Sequence, residues 1–229
     1  MLNPQKKVSR KEIKEDKLVT SYFEARAWAE ENRKLLSYVA LAIVVLVAGV
    51  FIYLNRQSED NQKATTELAK VFPLYDQGKY DQAINGVPQE GTHGLQFIVD
   101  EYGSTHSGNI ASLYLADSYF ALGQYEKALG YYKKVSVDDR MVSASALAGV
   151  GACYESMKQF ADAASYYERA ASKNMVAGLA PNYLRRAAES FAAAGDKAKA
   201  VEILKTLKKE FPSTQEARDA DLFIAQFGA

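Results

Sequence analysis

The stretch Ser112-Leu-Tyr-Leu-Ala-Asp-Ser-Tyr-Phe-Ala-Leu-Gly-Gln-Tyr-Glu-Lys-Ala-Leu-Gly-Tyr-Tyr132 decides the fold, because its spacing of small and aromatic residues returns twice downstream. Placing Gly123, Lys158 and Gly195 in register sets Tyr119, Tyr154 and Phe191 four residues before the turn and Ala128, Ala163 and Ala200 five after it. The small residues Ala116, Gly151 and Ala188 lie seven before, and Tyr132, Tyr167 and Leu204 nine after. Small positions let two helices approach, large ones fill the space beside them, and offsets of 35 and 37 residues separate the copies. Such an alternation predicts a stack of helix hairpins. Gly78, Tyr80 and Ala83 repeat the turn of Gly123, Tyr125 and Ala128, so an earlier, degenerate copy precedes the clear ones.

This pattern resembles the tetratricopeptide repeat, a helix-turn-helix unit of about 34 residues with small residues at fixed places and aromatics beside them. Pro212 falls where that pattern expects its terminal proline. The second helix of the degenerate copy is interrupted by Asn85-Gly-Val-Pro-Gln-Glu-Gly-Thr92, turn formers that cannot continue a helix. Helical spacing resumes at Leu95, Ile98, Val99 and Tyr102, so a loop inserted in that helix is expected. At the far end Phe211-Pro-Ser-Thr214 leads into a last helix, with Ser213 read as N-cap and Glu216 completing a capping box. That helix closes the exposed end of the array, as a terminal repeat must.

Leu35 to Leu54 is a run of 20 residues without a charge. As a helix it extends about 30 Å, the thickness of a bilayer core. No small-x-small cleavage site follows Phe51-Ile-Tyr-Leu-Asn-Arg56, so the reading is a retained anchor rather than a cleaved leader. Nine Lys and Arg precede the run, whereas Arg56, Lys63 and Lys70 follow it, which predicts a cytoplasmic N-terminus and exported repeats. Glu12 to Lys34 mixes Ile13, Val19, Tyr22, Phe23 and Trp28 with charges. It fits both an amphipathic helix lying at the membrane surface and a solvated extension of the membrane helix. Residues 1–9 read as a disordered tail.

The expected organisation is therefore all-α. Residues 1–34 form a cytoplasmic tail with an amphipathic helix, 35–54 one transmembrane helix, 55–106 a degenerate first repeat with its inserted loop, and 107–229 three tetratricopeptide repeats and a capping helix. The whole is an anchored tetratricopeptide-repeat (TPR) α-solenoid.

The chain carries 28 basic and 28 acidic residues, but residues 1–34 hold nine and six of them, leaving the remainder mildly acidic. No basic stripe interleaved with aromatics marks a nucleic-acid surface. His93 and His106 lie among small polar residues without a carboxylate at helical spacing, and 13 residues apart they make no metal signature. Cys153 is the only cysteine, which excludes an intrachain disulfide, and it reads as a buried small residue. Gly149-Val-Gly151 lies inside a helical pattern and lacks the spacing of a phosphate loop. No catalytic residue, cofactor, metal or small-molecule substrate is expected.

The repeat resemblance implies a protein-binding groove lined by fixed positions of each first helix. In this chain it assigns Phe72 and Tyr75, then Ile110, Leu113, Asp117 and Phe120, then Glu155, and last Arg185 and Glu189. Only Arg185 matches the basic clamp with which some such domains hold acidic C-termini. The groove reads as apolar at the anchored end and acidic further on, suited to an extended or amphipathic polypeptide. Packing of Phe72, Leu113 and Phe120 against neighbouring helices is the alternative.

Tyr80-Asp-Gln-Ala-Ile84, the phrase from Phe97 to Ala111 and Phe211-Pro-Ser-Thr214 resemble the YfgM-like family, ancillary subunits of the SecYEG translocon, in its Bacteroidetes-type members. The resemblance implies a single-pass protein of the bacterial inner membrane with a periplasmic array. Its implied partners are SecYEG, a membrane-anchored prolyl isomerase chaperone and exported polypeptides. The N-terminal segment is longer than the cytoplasmic tail of proteobacterial members. The Phe-Pro-Ser turn is also found in BamD-like and Tol-Pal-associated arrays, so an adaptor in cell-envelope, outer-membrane-assembly or division complexes is the second reading.

Overall fold

A computed structural model describes residues 10–173 and 178–228, with side chains from residue 19 onward. The tail expected at residues 1–9 lies outside these. The chain divides into two compact units, the first ending at Arg56 and the second beginning at Gln57.

In the first unit α1 spans Arg10–Glu31 and α2 begins at Arg33, running to Asp76 in the second unit. Asn32 separates them by a single residue. Its backbone N–H and its side-chain amide both donate to the Trp28 carbonyl, at 2.9 and 2.8 Å, and its own carbonyl accepts from Leu36. Val19, Tyr22 and Phe23 share one side of α1 at the helical repeat, whereas Trp28 falls on the opposite side, so the apolar residues do not gather on one stripe. All four are exposed, as are Leu41, Val45 and Phe51 of α2. By length and composition α2 is sufficient to cross a membrane.

In the second unit, α3 (Tyr80–Asn85) and α4 (Leu95–Tyr102) follow α2. The hairpins α5 (His106–Ala121) with α6 (Tyr125–Lys134), α7 (Arg140–Ser156) with α8 (Phe160–Lys173), and α9 (Ala180–Ala193) with α10 (Lys197–Glu210) come next. The last helix, α11, covers Gln215–Gly228. From α4 onward each helix packs chiefly on its chain neighbours, as a solenoid requires, and α3 packs on α5 as well as on α4.

The four turns aligned in the sequence share one geometry. Gly78, Gly123, Lys158 and Gly195 all adopt positive φ, at 73°, 74°, 61° and 92°. Each donates its N–H to the carbonyl three residues back, and the residue after it donates five back: Gly123 to Phe120 and Gln124 to Tyr119, Lys158 to Glu155 and Gln159 to Tyr154. This is the left-handed Schellman closure of a helix. Lys158 alone holds it with a side chain that the left-handed region disfavours. Lys158→Gly is expected to raise stability by about 0.5–1 kcal/mol, read as a shift in the urea midpoint, while Gly123→Lys lowers it.

Past each turn, Ala83, Ala128, Ala163 and Ala200 are wholly buried, as are Ala116 and Ala188 on the preceding helices. Tyr132, Tyr167 and Leu204 fill the space between successive hairpins. Small size at α7 is a packing demand: a Cβ on Gly149 would overlap the Tyr132 ring, and one on Gly151 would stand 3.0 Å from that of Tyr167.

The inserted segment is more ordered than a loop. Strands β1 (Gly86–Val87) and β2 (Thr92–His93) pair antiparallel around a turn of 3-10 helix at Pro88–Glu90, with Gly86 opposite His93 and Val87 opposite Thr92. The ends of α3 and α4 are thereby drawn together, and a buried cluster of Ala64, Val71, Ile84, Leu95 and Ile98 ties both to α2. At the other end the cap differs from expectation by one residue. Thr214, not Ser213, accepts the N–H of Ala217 at 3.3 Å, and its hydroxyl donates to the Phe211 carbonyl. The helix starts at Gln215, so Glu216 is one place too early to close a capping box.

Candidate protein-binding groove

The expected groove residues fall on successive first helices: Phe72 and Tyr75 on α2, four on α5, Glu155 on α7, and Arg185 with Glu189 on α9. An aromatic group occupies the α2–α5 end. Tyr114 of α5 stands edge-on to Phe72 at 5.4 Å and lies 4.8 Å from Tyr75 between ring centres. Phe72 keeps 38% of its surface exposed. Leu113 and Phe120 are half-buried against the cluster of Ala116, Ala128 and Tyr132, with Phe120 5.2 Å from Tyr125; Ile110 is also half-buried.

The carboxylates do not form a free acidic surface. Asp117 accepts hydrogen bonds from Tyr75 at 3.2 Å and from Tyr132, a residue of the next helix. Burial pushes its carboxyl above the usual range, although both hydroxyls pull the other way, and it pushes the two phenols up as well. The native state therefore holds the Asp117 proton more tightly than the unfolded chain. Its contribution to stability is largest at acidic pH and is lost as pH rises from the ordinary carboxylate pKa to the raised one. Glu155 accepts from Tyr167 at 2.7 Å and from Arg186 at 2.9 Å, and the Arg186 guanidinium lies 4.7 Å over the Tyr167 ring. Glu189 is paired with Arg185 one turn away on α9. The carboxylates expected further along are thus engaged, by hydrogen bonds from tyrosine hydroxyls and by ion pairs with two arginines, and Arg185, the one candidate for a basic clamp, is itself paired. The Asp117 and Glu155 partners lie 12 to 42 residues away, too far for local spacing to reveal them, whereas Arg185 and Glu189 stand at the helical i, i+4 spacing.

The closing helix adds to the lining. Phe223 and Phe227 of α11, with ring centres 5.9 Å apart, border a hollow of about 520 Å³ with Ala192, Ala193, Glu189 and Lys197. By sequence pattern alone α11 is only a cap. The i, i+4 phenylalanine pair was the available signal.

His93 is exposed, as expected, but has a long-range carboxylate partner. Its Nδ1 lies 2.9 Å from Glu67 Oε2, its ring stacks on Phe97 at 4.1 Å, and Lys70 donates to the other Glu67 oxygen at 2.7 Å. The Lys70 hydrogen bond, then that of His93, holds the Glu67 carboxyl below the usual range against its desolvation. Among the described residues, no three His, Cys, Asp or Glu side chains gather to hold a metal. Cys153 is buried, and burial, reinforced by the Asp117 charge, pushes its thiol up to about 12.

Repeated hairpins, Schellman turns and small-to-large packing define an all-helical tetratricopeptide-type solenoid. Tetratricopeptide repeat models match residues 154–213 and 111–137. Among solved structures, the chain is similar to TPR-like repeats from Podosopora anserina described as a kinesin light chain, at 15% identity and a TM-score of 0.56. That likeness covers 73% of this chain and 86% of the other; a singly substituted form of the same repeats gives 14% identity, the same TM-score, and 73% and 85% coverage. At such identity the likeness establishes the fold alone. No curated protein sequence matches. Arrays of this repeat are generally non-enzymatic scaffolds for protein–protein interaction.

Proposed function

We propose that this protein is a membrane-anchored, non-enzymatic scaffold whose array binds polypeptide beside the protein-export channel. The observation that carries the binding role is the line of groove positions from the exposed aromatic Phe72 to the Phe223/Phe227 hollow. An exposed aromatic ring at one end and a phenylalanine-lined hollow at the other, with the carboxylates between them already engaged, suit an extended segment that presents occasional bulky side chains and gains little from its own charge. The apolar run Leu35–Leu54 serves as the anchor, and the excess of Lys and Arg before it sets the N-terminus in the cytoplasm and the array in the periplasm. The resemblance of Tyr80–Ile84, Phe97–Ala111 and Phe211–Thr214 to the YfgM-like family supports placement at SecYEG, in company with a prolyl isomerase chaperone.

The test is photo-crosslinking from the two exposed groove positions Phe72 and Ala193 in living cells, followed by mass spectrometry. Exported chains in transit or translocon subunits are the expected products. Recovery of outer-membrane-assembly or division proteins instead assigns the array to the adaptor reading, and a crosslink pattern unchanged from that of a probe on exposed Lys205 overturns a groove-based role.

A further inference from the structure

A second cleft, of about 540 Å³, opens between α6, α7 and α8 on surfaces the groove does not use. Helix α7 carries its groove position Glu155 on one side and presents Ala146, Leu147 and Val150 to this cleft on another. With Val135 and Val137 of the α6–α7 connection, these residues make an apolar floor. The rim is cationic: Lys133 from the end of α6, Arg169 and Lys173 from the last turns of α8, and, among the described residues, no Asp or Glu in the lining.

Two of these cations are held in place without being neutralised. Lys133 Nζ donates to the Tyr154 hydroxyl at 2.9 Å and lies 5.1 Å over the same ring, and the Arg169 guanidinium lies 4.5 Å over the Tyr166 ring. Neither takes part in an ion pair among the described residues. Asp162, whose field reaches Lys133, lies outside the lining. An aromatic face fixes the rotamer of a cation but leaves its charge and most of its N–H donors available. The contrast with the groove is chemical: there each arginine already holds a carboxylate. Ser143 and Ser172, which also line the cleft, spend their hydroxyl protons on the Val137 and Arg169 carbonyls, so recognition rests on the three cations.

We infer that this cleft is a binding site for a phosphate-type anion carried on an apolar stem, the anion held by Lys133, Arg169 and Lys173 and the stem lying on Val135, Leu147 and Val150. The volume is in the range of small-ligand sites, and pre-positioned cations lower the ordering cost of capture. An apolar floor distinguishes the ligand from inorganic phosphate, which has nothing to place there. A lipid headgroup and a soluble alkyl phosphate share this chemistry.

The test uses the full chain in phosphatidylcholine nanodiscs, titrated calorimetrically with hexyl phosphate and with inorganic phosphate, with empty discs as reference. Saturable 1:1 binding of hexyl phosphate, at least about tenfold tighter than inorganic phosphate, is expected. Combined Lys133→Gln, Arg169→Gln and Lys173→Gln should weaken it at least about tenfold, and Leu147→Ser should weaken hexyl phosphate but not inorganic phosphate. Arg169→Gln alone, on an exposed residue, supplies a variant with an unaltered fold if the triple change disturbs folding. Nanodiscs containing phosphatidylglycerol distinguish the sources: reduced hexyl phosphate binding identifies a lipid headgroup as occupant, and unchanged binding a soluble one. Absence of saturable binding, or binding insensitive to the single and triple variants, overturns the assignment. So does tighter binding of an acidic Glu-Leu repeat peptide at the same residues, which would make the cleft a polypeptide site.

Discussion

Tyr167→Ala is expected to lower the unfolding free energy by about 3–5 kcal/mol, the cost of removing a fully buried aromatic ring from a close-packed core. The ring is wholly inaccessible and lies between α7 and α9, touching the helix at Gly151 so closely that a methyl group there would press on it. Truncation opens a cavity shared by two hairpins. It also strips the Arg186 guanidinium of its stacking face and Glu155 of one hydrogen-bond donor. Tyr167→Phe separates these contributions: the ring stays, only the hydroxyl is lost, and the expected cost falls to about 1 kcal/mol. Denaturant midpoints of the full chain in detergent read both values. If the alanine and phenylalanine variants melt together, the hydroxyl rather than the ring holds the hairpins, and the packing account fails.

Gly108→Ala should cost about 3 kcal/mol, at the upper end of overpacking effects, even though alanine is the better helix former. A Cβ at this position would overlap the carbonyl oxygen and carbon of Tyr102 and stand 2.9 Å from the Gly103 Cα, and backbone cannot swing aside as a side chain can. The start of α5 would have to leave the end of α4. That corner is bonded throughout: the Gly108 N–H donates to Thr105 Oγ1, Asn109 donates to the Gly103 and Thr105 carbonyls, and Ser136 donates to Asn109 Oδ1. Gly130→Ala provides the opposite sign. A Cβ there meets nothing within 4 Å, so the substitution should gain up to about 1 kcal/mol of helix propensity. Equal effects at the two positions would remove close backbone approach as the cause.

The turns were the most legible part of the sequence. A left-handed residue is a local requirement, and it leaves glycine at three of four equivalent positions and a lysine at the fourth. The buried alanines and the Tyr132–Tyr167–Leu204 series were equally plain, because each repeats at the period of the hairpin. What sequence spacing could not show was pairing across that period. Asp117 reads as a groove carboxylate until the hydroxyls of Tyr75 and Tyr132, 42 and 15 residues away, are seen to meet it. Glu155 and Arg186 are in the same position. The two-rung hairpin at Gly86–His93 is too short for a period-two pattern, so its turn formers announce an interruption but not a sheet. The cap shifted from Ser213 to Thr214 because adjacent hydroxyls are equally able acceptors and only the path of the chain chooses between them.

Cys153 gives this molecule a built-in clock. Its thiol is the single one in the chain, enclosed on α7 and reluctant to ionise, so an alkylating reagent can reach it only when the hairpin around it opens. The labelling rate in the native state then counts openings at the centre of the array. Because the reporter is native, the same measurement runs on the unmodified chain in the presence of a candidate partner, where occupancy of the scaffold registers as a slower tick.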